Sequence, residues 1–301
     1  MLSFVSVRRA AAAVALVGSL MAGGAAAQQE LVMEPLKDSG LNVYPAYEGW
    51  FQNEDGTYTL LIGYYNRNKK QVLDVPIGPA NRIEPGGPDQ GQPTHFVVGR
   101  GWGTMAIKVP KDFGDKKLTW TLTTNGKTVT GQFGLTKGYQ IEPYLDAAMG
   151  NKPPVFKFSE TGEALTGPPK PLSAAPVLAG VVGEPVTISA WLTDDGHEEP
   201  ATGGGAVVAA PPAGAQAAPR RPRISAILTK YRGPGDITFA NNRPAVEKDK
   251  IATTATFSMP GEYVIRLEGN DSSGVGGGGF QCCWSTAYVK VNVKAASTSG
   301  R

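Results

Sequence analysis

Glycine and proline interrupt this chain so often that a helical bundle has no room to form. There are 39 Gly and 24 Pro in 301 residues, about a fifth of the chain. Both disfavour helix interiors, and an isolated helix needs roughly 12–15 residues to hold together in water. The apolar fraction of 41% is near that of ordinary globular chains, so wholesale disorder is excluded as well. Short strands joined by tight turns are what remains. A formal net charge of +3 is too small to point to nucleic acid or an anionic membrane as partner.

Residues 1–27 read as a secretory signal peptide. Arg8 and Arg9 supply the positive flank, 10–21 the apolar core, and Ala25, Ala26 and Ala27 the small-residue cleavage pattern, with Gln28 as the mature N-terminus. The apolar run is shorter than the ~20 residues of a membrane span, and no later stretch is long enough to be one. The expected location is secreted or periplasmic. Two cysteines do not make a disulfide scaffold, so each domain must stand on its own apolar core.

Residues 41–141 carry strand and turn signals throughout. Segments 44–52 and 57–66 are rich in aromatic and β-branched residues, and the Asn-Glu-Asp-Gly run at 53–56 between them predicts a hairpin. Tyr58, Leu60, Ile62 and Tyr64 fall on one face of the second strand. Further short strands are expected at 72–77, 95–98 and 104–109, with a long Pro/Gly loop over 79–93. Segments 118–123 and 127–133 flank Asn125-Gly126, the strongest short hairpin signal in the chain. The prolines of 142–176 predict a stiff, extended linker. Beyond it, 185–192, 223–231, 237–240, 252–258, 262–268 and 287–293 are strand candidates within a second block, 177–295. The uncharged Gly/Ala/Pro stretch 203–218 reads as a flexible insertion. The fold class is therefore all-β: two tandem antiparallel β-sandwiches, 41–141 and 177–295, joined by a Pro-rich linker after a signal peptide.

In the second block, GEPVTISAWLTDDG, LTKYRGPGDITFA, TTATFSMPGEYVIRLEGNDSSG and AYVKVNV together resemble the PKD-like, immunoglobulin-type repeats of secreted bacterial proteins. The matching residues are Arg232, Gly233, Pro234 and Gly235, then Thr238-Phe239, Thr256-Phe257, Pro260-Gly261, Tyr263 and Leu267. The resemblance implies an Ig-like sandwich used as a spacer or adhesive module, with no catalytic residues. The 203–218 insertion and the run GGGGFQCCW depart from the pattern. The first block is only vaguely Ig-like.

With Ig-type topology, the loops after Thr193 and after Gly269 emerge at one end of the second sandwich, where binding loops of such folds cluster. One carries Asp194, Asp195, His197, Glu198 and Glu199. The other carries Asn270, Asp271, Cys282, Cys283 and Trp284. Asp194, Asp195, Asn270 and Asp271 are hard oxygen donors, hence candidate Ca²⁺ ligands; the competing reading is solvated loop residues in turns. Adjacent Cys282 and Cys283 can form a vicinal disulfide, cross-link two chains or stay reduced.

In the first block, Tyr44, Tyr47, Trp50, Tyr64, Tyr65 and Trp102 are either a sugar-stacking strip or sandwich core. Tyr47, Trp50 and Trp102, with Trp284, are the candidate ligand-binding aromatics. The loop 79–95 holds Arg82, Glu84, Asp89 and His95, but nothing in the sequence fixes those groups against each other as catalysis would require. The expectation is an exported, non-enzymatic binding or scaffolding protein of the periplasm or cell exterior, with a protein or glycan partner and a role such as cell adhesion. A carbohydrate-binding module and an enzyme built on the 79–95 loop are the alternatives.

Overall fold

The computed structural model describes residues 35–142, 150–197, 223–276 and 282–297. The signal peptide, the insertion 203–218, Glu198 and Glu199 lie outside the described residues. The chain divides into Met1–Pro35 and the compact unit Leu36–Arg301. All that follows concerns the second unit.

Its first half contains β1 (Val43–Gln52), β2 (Tyr58–Asn66), β3 (Leu73–Asp74), β4 (Asn81–Glu84), β5 (His95–Phe96), β6 (Gly99–Val109), β7 (Lys117–Thr124) and β8 (Lys127–Gly134). The order β1-β2-β6 forms one layer and β4-β7-β8 the other, with β3 and β5 paired beside them. Leu60, Ile62 and Tyr64 of β2 enter the core with Ile83, Trp120, Leu122 and Phe133. The alternation of β2 thus becomes one buried face, as the pleat requires. Asn125 and Gly126 both take positive φ, 48° and 77°, as a tight hairpin turn of matching twist demands. Strand β4 lies inside what reads in sequence as a continuous Pro/Gly loop. It pairs with β7, and buried Asn81 holds the surrounding turns by donating to the carbonyls of Val75 and Pro93 while accepting from Trp120 Nε1.

The second half contains β9 (Val155–Lys157), β10 (Leu165–Thr166), β11 (Val177–Val181), β12 (Val186–Thr193), β13 (Ile224–Arg232), β14 (Ile237–Phe239), β15 (Lys250–Phe257), β16 (Gly261–Asp271) and β17 (Trp284–Lys294). One sheet runs β10-β9-β12-β15-β14 and the other β11-β17-β16-β13. Setting aside β10, this is the immunoglobulin arrangement, in which strands A, B, E and D face strands C, F and G. Strand β11 adds to the second sheet in parallel with β17. Part of the segment expected to be a linker is therefore sandwich: β9 pairs with β12, and Phe156 is fully buried among Ile188, Leu192 and Leu267. Three residues directly after Pro153-Pro154 carry too little periodicity to read as a strand.

The Arg-Gly-Pro-Gly turn has a packing reason. A Cβ on Gly233 would lie 2.1 Å from the Tyr263 ring, and one on Gly261 2.8 Å from Pro234. The Tyr263 hydroxyl donates to the Met259 carbonyl at 2.9 Å, closing the corner. Both halves are all-β, and among the described residues no helix is long and apolar enough to cross a membrane.

Candidate functional site

Strand β16 is apolar on one face through Tyr263, Ile265 and Leu267, and polar on the other through Arg266, Glu268 and Asn270. Such alternation normally marks a half-exposed strand. Here every residue from Tyr263 to Asp271 is buried. Across the sheet Arg266 faces Tyr288, Glu268 faces Thr286 and Asn270 faces Trp284, and what buries this face is the first sandwich. That polar face packs onto the outer face of β2 and β6 of the first sandwich, forming a seam between the two halves.

The seam is a hydrogen-bonded lattice. Arg266 Nη1 pairs with Glu268 Oε2 at 2.6 Å, and Nη2 donates to the Trp102 carbonyl at 2.7 Å and to Thr286 Oγ1 at 3.2 Å. The Tyr288 hydroxyl donates to the Thr104 carbonyl. Trp284, wholly buried, packs with Leu61, Trp102 and Ile141. From the first sandwich, Glu48 sits at the bulge that breaks β1 between Tyr47 and Gly49. It accepts from Gly103 N–H at 2.8 Å and meets Arg100 Nη2 at 3.1 Å. Gly63 makes room for it: a Cβ there would lie 2.1 Å from Glu48 Oε1.

Charge in this seam is tuned by burial. Desolvation pushes the Glu48 carboxyl up to about 7, although Arg100, the Gly103 N–H and Arg266 favour its ionised form. Burial works against the charge of Arg266, yet the Glu268 carboxylate and the neighbouring tyrosines hold its pKa above the ordinary arginine value. Burial raises the Tyr64 and Tyr288 hydroxyls to about 12 each, so they remain neutral.

The 79–95 loop belongs to this seam. Asp89 forms a fork-like pair with Arg232 (2.8 and 2.9 Å), and Gln92 supplies a carbonyl to Arg232 Nε at 2.8 Å. The Tyr231 hydroxyl donates to the Gly91 carbonyl at 2.6 Å, and Thr94 N–H donates back to the Tyr231 carbonyl at 3.1 Å. His95 Nδ1 and Lys230 Nζ both lie 2.9 Å from Asp74 Oδ1. Burial opposes the Asp74 charge, but the His95 and Lys230 hydrogen bonds hold its carboxyl down at about 2.

A cleft of about 280 Å³ opens in the seam. Tyr64, His95, Arg100 and Thr104 line it from the first sandwich. Thr229, Lys230, Arg243, Arg266 and Glu268 line it from the second.

The candidate ligand-binding aromatics do not form a strip. Tyr47 packs on Phe133 and Tyr139 and donates to the Gly134 carbonyl; Trp50 donates to the Thr136 carbonyl and is 9% exposed. Trp102 lies under the Arg100 guanidinium, 4.5 Å from its ring centre, while Trp284 is at the seam.

At the tip, the ends of β12 and β16 lie together, since a Cβ on Gly269 would meet Leu192 and Phe156. Asp194 and Asp271 are close enough to influence each other. Burial raises the Asp194 carboxyl, with Asp195 and Asp271 adding to the shift. Asp271 accepts from Asn151 Nδ2 at 2.7 Å and from Ser273, whereas Asn270 lies on the opposite face of β16, donating to Glu268 at 3.1 Å. Strand alternation thus separates two neighbours proposed to share one ion. Asp195 accepts from the His197 N–H in its own turn. Among the described residues no group of three or more His, Cys, Asp or Glu could hold a metal ion. Cys282 and Cys283 are bonded to each other and buried, with Cys283 at φ 77°. The Cys283 carbonyl faces the Asp271 N–H at 3.4 Å.

No family model matches the chain, and no curated protein does. Among solved structures it is similar to domains 4 and 5 of the S-layer protein SbsC, at 12% identity over 84% of this chain and 98% of that one, TM-score 0.23. It is also similar to the titin Ig tandem domains A164-A165, at 10% identity over 85% and 100%, TM-score 0.21. A third is the sialic acid binding region of a Streptococcus sanguinis SK1 adhesin bound to 3'sLn, at 9% identity over 85% and 78%, TM-score 0.23.

Proposed function

We propose that this is an exported, non-enzymatic binding or scaffolding protein, secreted or periplasmic, whose PKD-like second sandwich is fused to the first as one rigid body. The observation that carries this reading is the engagement of the polar groups of the 79–95 loop. Asp89 and the backbone of Gly91, Gln92 and Thr94 bind the second sandwich, and His95 shares Asp74 with Lys230. Groups held in this way position two modules rather than a reacting substrate, which a catalytic reading of the loop would need. A rigid pair of sandwiches holds its loops at a fixed spacing for a protein or glycan partner.

Fractionation with N-terminal sequencing tests the export half. In the cells that make this protein, a mature chain beginning at Gln28 is expected outside the cytoplasm. Recovery of the uncleaved chain from the cytoplasm contradicts the reading.

A further inference from the structure

Strand β11 is a sheet edge without the usual protection. An edge strand offers a row of unpaired N–H and C=O groups to any other strand, and soluble proteins blunt such edges with charge, proline, shortness or a covering segment. The other edge strands of the second sandwich are blunted in these ways. β10 has two residues and β14 three. Along β13 the Leu228 N–H is taken by the Asn242 carbonyl, and the Tyr231 carbonyl by the Thr94 N–H. β11, by contrast, runs for five residues inside 171–183, a stretch with no charged side chain.

The pairing with β17 shows which groups of β11 stay open. Lys290 N–H donates to the Pro176 carbonyl, and Val182 N–H to the Lys294 carbonyl, both at 2.9 Å. Alternate residues of a parallel strand bond to the same neighbour, so 176, 178, 180 and 182 are turned to β17. Val177, Ala179 and Val181 turn their N–H and C=O groups the other way. Among the described residues only the Glu184 N–H meets any of these groups, donating to the Val181 carbonyl at 3.1 Å. Val177 is 56% exposed and Ala179 is exposed as well. The inner face belongs to Leu178 and Gly180; a Cβ on Gly180 would lie 2.8 Å from Val186.

The strand is complementary to itself. A two-fold axis at Ala179 sets a second copy antiparallel, with Ala179 opposite its own counterpart and Val177 opposite Val181 of the second copy. These are the residues whose groups face outward, so each pair exchanges N–H···O bonds in both directions. Leu178 then lies opposite Gly180 of the second copy, large against small. No like charges meet across the axis, because 171–183 carries none.

We propose that the β11 edge pairs two copies of this chain, antiparallel, into one continuous sheet. A contact of this length buries less than the ~1,200 Å² of a standard interface, so the dimer is weak, with Kd on the order of 100 µM. The pairing uses the second sandwich alone, so it stands or falls apart from the fusion of the two halves.

The test is sedimentation equilibrium on the full mature chain, from about a tenth of that Kd to about ten times it. A reversible monomer–dimer equilibrium is expected. Ala179→Pro removes the central outward N–H without touching a bond to β17, and Ala179→Lys sets like charges opposite each other. Each weakens the dimer at least about tenfold and leaves the melting temperature nearly unchanged. Where the proline variant unfolds, the lysine variant, at an exposed position, carries the test. The register has its own check: Val177→Lys/Val181→Glu keeps the dimer through ion pairs across the axis, whereas Val177→Lys/Val181→Lys loses it. A chain monomeric at the highest concentration overturns the proposal and leaves the edge to a strand of another protein. A dimer indifferent to Ala179→Lys, or equal dimerisation of the two double variants, overturns it too.

Discussion

Arg266→Met lowers the melting temperature by about 10 °C. The substitution leaves the Glu268 carboxylate buried without its partner and strips the Trp102 carbonyl and Thr286 Oγ1 of a donor. Removing one member of a buried ion pair costs about 3–5 kcal/mol, and for a chain of this size each kcal/mol moves the melting temperature by about 2–4 °C. The paired variant Arg266→Met/Glu268→Leu recovers most of the loss, because two apolar side chains in place of a buried pair are often neutral or stabilising. Differential scanning calorimetry of both variants checks this. Equal melting of the Arg266→Met variant and the parent would mean that the pair is solvated and the seam open.

The second large effect is on pH dependence. Glu48 ionises at about 7 in the folded chain, against an ordinary value of 4.5. Between those values the native state holds a proton that the unfolded chain has released. Its stabilising contribution is complete below pH 4.5 and fades as pH rises toward 7. At about 1.4 kcal/mol per pH unit, the loss is about 3 kcal/mol. Glu48→Gln flattens the stability profile between pH 5 and 8 and raises stability at pH 8, when followed by urea unfolding. The Asp74 carboxyl, held down at about 2, works with the opposite sign. Its contribution is present above pH 3.8 and lost as pH falls toward 2, outside that interval. A Glu48→Gln profile parallel to the parent's would show that Glu48 is hydrated and ionised.

Much of the fold is legible along the chain, because its signals are local. The 53–56 and Asn125-Gly126 turns fix two hairpins, and the alternation of β2 and β12 shows which faces enter the cores. The Pro/Gly runs conceal structure instead. β4 and β9 are short, and Asn81 and Phe156 acquire their roles only from distant partners, such as Trp120 for one and Leu267 for the other.

The seam is the least legible part. Arg266, Glu268 and Asn270 in alternation look like the wet side of an edge strand, and only the docking of the first sandwich buries them. Glu48 gives one faint signal, lying beside Gly49 in an aromatic strand. Its burial depends on Gly63, fifteen positions on, having no side chain. In the loop 79–95, Asp89 and the backbone of Gly91 and Gln92 hold Tyr231 and Arg232, whereas Arg82 and Glu84 pair with each other.

Residual dipolar couplings from backbone amides of both cores measure most directly whether the two sandwiches move as one. A single alignment tensor that fits β2, β6 and β7 together with β12, β16 and β17 is the predicted result. Two tensors of different magnitude or orientation would contradict it.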